Sequence, residues 1–251
     1  MILNDDMLRG LCRAALAEDV GSGDATTLAV VPEHLETEAH VITRQECVCA
    51  GLPVVAALFA ELDRAVVVTA HVREGALCQP GTTMATVAGP ARAILTGERT
   101  ALNFLQRLCG VATVTRRHVA ALGDSPTKIL DTRKTTPGLR LLEKYAVAMG
   151  GGQNHRLGLY DRVMIKDNHR EMARFAGPDS IARAVRACRE KYPRLEIEVE
   201  ADSLAEVEAA AAAGVEYILL DNMTDAEMAE AIRVIAGRAR TEASGGITRE
   251  R

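Results

Sequence analysis

The sequence predicts an α/β protein in two parts: a mixed α+β first part, then a second part built on a parallel sheet. Three observations lead there. In the first hundred residues amphipathic helices and short β-rich runs mix without a fixed order. After Ser125-Pro126 short apolar runs alternate with amphipathic stretches. The turns between them carry glycine, proline and capping residues. A chain of 251 residues with 48% hydrophobic residues is long and apolar enough for one large domain or two modest ones, each with a real core.

Taken in order, Asp5 to Ala17 carries Met7, Leu8, Leu11 and Ala15 at helical spacing, and a second helix runs from Pro53, in its first turn, to Leu62. Strand-like runs occupy 39–44 (AHVITR) and 65–72 (AVVVTAHV), with turns at Gly75, Pro80-Gly81 and Gly89-Pro90. A long helical stretch over 91–122 is expected to break near Gly110, dividing the chain into domains 1–110 and 111–251. Beyond it, strands are predicted at 128–131 (KILD), 163–166 (VMIK), 195–200 (LEIEVE), 217–221 (YILLD) and 241–244 (TEAS). Helices fall at 139–149, 179–191, 204–213 and 225–236. Ser203-x-x-Glu206 and Thr224-x-x-Glu227 read as capping boxes opening the last two helices. Such alternation implies a parallel sheet, open or closed into a barrel.

Composition excludes several functions. Aromatic residues make up 3% and Trp is absent, which leaves no stacking platform for single-stranded nucleic acid. The net charge is −4, yet Lys128 to Arg170 holds nine Lys/Arg against four Asp/Glu, +5 against −9 elsewhere. A local anionic ligand explains that better than a nucleic-acid face. No basic n-region leads into an apolar core, and no apolar run approaches the ~20 residues of a membrane span. The six cysteines (Cys12, Cys47, Cys49, Cys78, Cys109, Cys188) lack C-x-x-C spacing and read as reduced thiols of a cytosolic protein.

Ligands of parallel α/β proteins meet the carboxyl ends of the strands. Here those ends are all polar: Thr132-Arg133-Lys134, Lys166, Glu200, Asp221 and Ser244-Gly245-Gly246. Arg133, Lys134, Arg156 and Lys166, with His155, suit an organic dianion through charge-assisted hydrogen bonds. Glu200 and Asp221 suit Mg²⁺, which takes one or two carboxylates plus substrate phosphate oxygens. Ser244-Gly245-Gly246 suits a phosphate. Plainer roles remain open at single positions: Asp221 as a helix cap, Glu200 as partner of a neighbouring lysine, Gly150-Gly151-Gly152 as a turn.

The segments DTRKTTPGLRLLEKYAV (131–147), GGGQNHRLGLYDRVMIKDNH (150–169), IEVEADSLAE (197–206), YILLDNM (217–223) and EASGGI (242–247) resemble the quinolinate phosphoribosyltransferases, as do EDVGSGDATT (18–27) and GERTALNFLQRLCGVAT (97–113). The resemblance runs in order over almost the whole chain. It implies an N-terminal open α/β sandwich, a C-terminal TIM-like incomplete α/β barrel, and a homodimer. It implies decarboxylating transfer from phosphoribosyl pyrophosphate to quinolinate, with Mg²⁺, in NAD biosynthesis. It places Arg133, His155, Arg156 and Lys166 around quinolinate, with Arg99 donated by the partner subunit. Lys134, Glu200 and Asp221 would serve phosphoribosyl pyrophosphate and its Mg²⁺, and Ser244, Gly245 and Gly246 the 5′-phosphate. Lys134, Lys166, Glu200 and Asp221 are the expected catalytic set. The family's pattern continues a few tens of residues past the position of Arg251, through a last βα unit and a Gly-rich turn. A paralogue acting on nicotinate or on a molybdenum-locus substrate, and a non-catalytic barrel scaffold, are the alternatives. The number of pocket cations argues against the first and the two retained carboxylates against the second.

Overall fold

Helix α1 (Asp5–Val20) starts where the Asn4 side chain accepts hydrogen bonds from the backbone N–H groups of Asp6 and Met7, and it buries Leu8, Cys12 and Leu16 at four-residue spacing. The computed structural model describes residues 3–177 and 179–249, and the chain divides into two compact units, 1–155 and 156–251.

In the first unit a short helix, α2 (Ala25–Val30), is capped by Asp24, whose carboxylate accepts from the Thr27 N–H at 2.9 Å. A three-stranded antiparallel sheet follows, with β5 (Thr83–Pro90) between β1 (Glu36–Ile42) and β3 (Val67–Ala70). The two-residue strands β2 (Cys47–Val48) and β4 (Leu77–Cys78) pair beside it. Helix α3 (Leu52–Leu62), with proline in its first turn as expected, lies against α4 (Ala91–Ala121). Their approach requires Gly97, because a Cβ there would stand 2.6 Å from Leu62 Cδ1 and 2.8 Å from Phe59 Cε1.

The break expected at Gly110 does not occur. Helix α4 runs unbroken over 31 residues, with Leu105, Leu108, Cys109 and Ala112 buried on either side of that glycine. An interior glycine costs a helix about 1 kcal/mol, which the packing of four neighbouring side chains outweighs. With Leu142 and Ala146 of α5 (Arg140–Met149), these residues join the core of Leu58, Phe59, Met84 and Val87. All six cysteines are free, and burial pushes the thiols of Cys12 up to about 11 and Cys109 up to about 12.

The second unit is a four-stranded parallel sheet in sequence order, β6 (Val163–Ile165), β7 (Ile197–Ala201), β8 (Tyr217–Asp221) and β9 (Arg240–Ser244). Helices α6 (Asp167–Met172), α7 (Ser180–Lys191), α8 (Leu204–Ala212) and α9 (Asp225–Ile235) connect them. Alternate strand residues, Ile165, Ile197, Val199, Ile218 and Leu220, pack with Ile181, Val185, Val207, Ala210 and Ile235 of the helices. The opposite face carries Met164, Glu198, Glu200, Tyr217, Asp221, Glu242 and Ser244. Four of the five strands expected after Ser125-Pro126 are present. KILD is not a strand: among the described residues it forms a single parallel bridge, between Leu130 and Gln153.

Candidate active site

In the first unit the loops after that bridge are fixed by a buried ion pair. Lys144 is fully buried, and its Nζ donates to Asp131 Oδ1 and, at 3.1 Å, to the His155 carbonyl. The Asp131 carboxylate also accepts from the His155 N–H at 2.8 Å and from Asn154 Nδ2 at 2.6 Å. Arg133, Lys134 and His155 therefore leave one rigid anchor, although Asp131, Lys144 and Asn154 were not among the expected site residues. A lysine on the buried face of α5 was their only signal in the sequence. A second brace holds the 133–136 loop. Glu143 accepts from Arg107 Nη2 at 2.5 Å and from the Thr136 N–H at 3.2 Å. Burial alone would raise the Glu143 carboxyl, but these donors outweigh it and hold its pKa below the usual range.

The Arg133 Nε is buried with no hydrogen-bond partner among the described residues. A buried guanidinium N–H without an acceptor fits a place where a ligand anion supplies one. Lys134 is exposed, its N–H held by Thr132 Oγ1 at 2.9 Å, and Arg99 is exposed on α4.

In the second unit the expected positions lie on and around the sheet. Arg156 donates through Nη1 to the Arg162 carbonyl at 3.1 Å and through Nη2 to Met164 Sδ at 3.4 Å, which lays it along the face of β6. Lys166, just past β6, pairs with Glu200 of β7. Glu200 thus takes the plainer role of partner to a neighbouring lysine. The Lys166 N–H donates to His169 Nδ1 at 3.0 Å, a cap that starts α6. Asp221 and Ser244 stand opposite each other in the β8–β9 register, and Gly245 and Gly246 follow with φ of 85° and 65°. One layer deeper, Arg162 lies 4.0 Å over the Tyr217 ring, within reach of Glu196, Glu198 and Glu242 at 3.7, 3.6 and 3.3 Å. Glu198 is fully buried, a polar floor that an alternating LEIEVE run announces only as three glutamates.

The unit thus presents a cation, a carboxylate pair on neighbouring strands and a glycine turn along one edge of a parallel sheet. Residues 24–109 match the profile of the quinolinate phosphoribosyl transferase N-terminal domain, and residues 111–251 that of its C-terminal domain. The chain belongs to the quinolinate phosphoribosyltransferase family. Within this family it is 46% identical over 237 residues to a probable nicotinate-nucleotide pyrophosphorylase [carboxylating] of Synechocystis, covering 93% of this chain and 78% of that protein. A probable nicotinate-nucleotide pyrophosphorylase [carboxylating] of Bacillus subtilis is 41% identical over 249 residues, covering 99% and 84%. The crystal structure of NadC from Streptococcus pyogenes superposes with a TM-score of 0.92 at 42% identity, covering 99% of this chain and 87% of that one. The two-domain fold of the quinolinate phosphoribosyltransferases, expected from the motifs, is therefore the fold of this chain. No helix among its described residues is long and apolar enough to cross a membrane.

Proposed function

We propose that this quinolinate phosphoribosyltransferase transfers the phosphoribosyl group of phosphoribosyl pyrophosphate to quinolinate and releases pyrophosphate and carbon dioxide, leaving nicotinate mononucleotide. The observation that carries the reading is family membership over both halves of the chain, at 41–46% identity to the relatives above.

The residue roles are part of the proposal. Arg133, His155, Arg156 and Lys166, with Arg99 of a second subunit in a homodimer, hold the two quinolinate carboxylates. This leaves the ring nitrogen directed at the anomeric carbon. Lys134 meets the phosphoribosyl donor, and Ser244, Gly245 and Gly246 offer hydroxyl and N–H donors to its 5′-phosphate. Glu200 and Asp221, carboxylates on adjacent parallel strands, are hard oxygen donors of the kind Mg²⁺ takes together with phosphate oxygens, so the residues present fit that ion. Bound there, Mg²⁺ would neutralise charge on the departing pyrophosphate. Lys166 and Glu200 neutralise each other until the ligands arrive. The dicarboxylate then takes the lysine and the donor site the glutamate. As the C–N bond forms, the C–O bond to pyrophosphate breaks. The resulting pyridinium nitrogen stabilises the electron pair left on the neighbouring carbon when carbon dioxide departs, and a proton from solvent fills that position. Six free cysteines suit the cytosolic setting that the reading includes.

The test offers Mg²⁺ and phosphoribosyl pyrophosphate with either quinolinate labelled at the 2-carboxylate or nicotinate. Labelled carbon dioxide with nicotinate mononucleotide, from quinolinate only, is the expected outcome; turnover of nicotinate alone would overturn the reading. Arg133→Ala is expected to weaken quinolinate roughly 10- to 100-fold, the worth of one charge-assisted hydrogen bond, with little change for phosphoribosyl pyrophosphate.

A further inference from the structure

Asn222, directly after Asp221, touches both ends of the donor site. Its backbone sits at φ 55°, in the left-handed region that asparagine enters more readily than most residues with a side chain. Its Nδ2 donates to Asp221 Oδ2 at 2.8 Å, which leaves Oδ1 for a ligand. Its backbone N–H donates to the Ser244 carbonyl at 2.9 Å, tying the loop after β8 to the end of β9. The glycine turn also lies flush against it: a Cβ on Gly245 would stand 2.1 Å from Asn222 Oδ1 and 2.8 Å from Asn222 N. Gly245 is thus required twice, by its φ of 85° and by this approach.

We propose that Asn222 is a positioning residue that sets the separation between the Asp221 carboxylate and the Ser244-Gly245-Gly246 turn, and so selects a ligand carrying a ribose and a 5′-phosphate at that spacing. This rests on the assignment of Asp221 and the turn to phosphoribosyl pyrophosphate. A ligand with two anchoring points gains from a preset distance between them, because ordering two loops on binding is then avoided. The carboxamide orients the carboxylate, the N–H holds the turn, and the side-chain oxygen packs against Gly245.

Those three contacts separate by substitution. Asn222→Gly keeps the positive φ and the N–H but loses the carboxamide. Asn222→Ala loses the carboxamide and strains the turn. Gly245→Ala keeps Asn222 and pushes it away. Binding of phosphoribosyl pyrophosphate is measured by calorimetry across a Mg²⁺ series, in the presence of phthalate, a dicarboxylate without a ring nitrogen that cannot react. Binding of quinolinate alone is measured beside it. Asn222→Gly is expected to raise the Mg²⁺ concentration needed for half-maximal donor binding roughly tenfold, the worth of a hydrogen bond to a charged group. Asn222→Ala and Gly245→Ala are expected to weaken the donor further, at any Mg²⁺ level. Quinolinate affinity should stay near that of the parent in all three variants, and the urea midpoint too in Asn222→Gly, which alone keeps the backbone unstrained. Equal losses for both ligands, or unchanged donor binding in Asn222→Ala, would overturn the proposal. Asp221→Ala separates the two levels of the argument. If it leaves the Mg²⁺ series unmoved, the assignment of Asp221 falls and the coupling with it. If it moves the series while the Asn222 variants do not, only the coupling falls.

Discussion

Lys144 shows how much a single buried charge can organise. It has no solvent contact, and every charge-bearing atom around it is answered: Nζ by Asp131 and the His155 carbonyl, Asp131 by the His155 N–H and Asn154. A buried pair of this kind adds little net stability over an apolar pair, but removing one partner strands the other. Lys144→Met is therefore expected to cost about 3–5 kcal/mol in urea unfolding, and Lys144→Met with Asp131→Leu to recover much of that loss. A double variant no more stable than the single one would refute the account. The cluster's one signal, a lysine on the buried face of α5, is weak because a lysine on a helix reads as a solvated head on an apolar stem, and its partner lies thirteen positions upstream, beyond a loop. Arg133, Lys134 and Lys166 were legible as candidates because they end runs that had to be strands or strand-like.

At the scale of elements, local signals worked where the backbone had one way to satisfy its termini. Thr224 Oγ1 accepts from the Glu227 N–H at 3.3 Å and the Glu227 carboxylate accepts from the Thr224 N–H at 2.8 Å, so the expected box at the start of α9 forms. The equivalent box at α8 does not. The Ser203 side chain makes no cap bond, and Glu206 instead pairs with Arg170 at 2.6 Å. Its other carboxylate oxygen accepts from the Asp202 N–H at 3.4 Å, one residue short of the Ser203 N–H that a box requires. Thr224→Ala should accordingly cost about 1 kcal/mol, and Ser203→Ala less than about 0.5 kcal/mol. Equal losses in thermal unfolding would contradict this. Helices α2 and α6, six residues each, were missed because so few residues show no periodicity. Their capping side chains, Asp24 and His169, were the available signals. KILD was over-read because four apolar-rich residues look alike in a strand and in a single bridge.

At the scale of the whole molecule, the two-part α/β organisation could be read from the change of rhythm after Ser125-Pro126, while the antiparallel order β1-β5-β3 could not, since pairing distant strands leaves no local pattern. The proposed homodimer belongs to this scale too. Arg99 is exposed on its own chain, as a residue donated to a second subunit would be. Mixing inactive Arg99→Ala with inactive Lys166→Ala after joint unfolding and refolding is expected to restore up to about a quarter of the activity per site, through mixed dimers holding one intact site. No recovery in a mixture shown to contain mixed dimers would place Arg99 in its own subunit's site.

The strand order of the second unit has a bearing on synthesis. Because β6, β7, β8 and β9 lie side by side in the order they are made, each strand leaving the ribosome finds its neighbour already in place, and the sheet can grow by accretion. In the first unit β5 must slot between β1 and β3, which wait for it with their inner edges unpaired. While residues 43–82 are being made, the β1 edge that will meet β5 has no partner, so this is the stretch of synthesis during which a nascent first unit offers an unpaired strand edge.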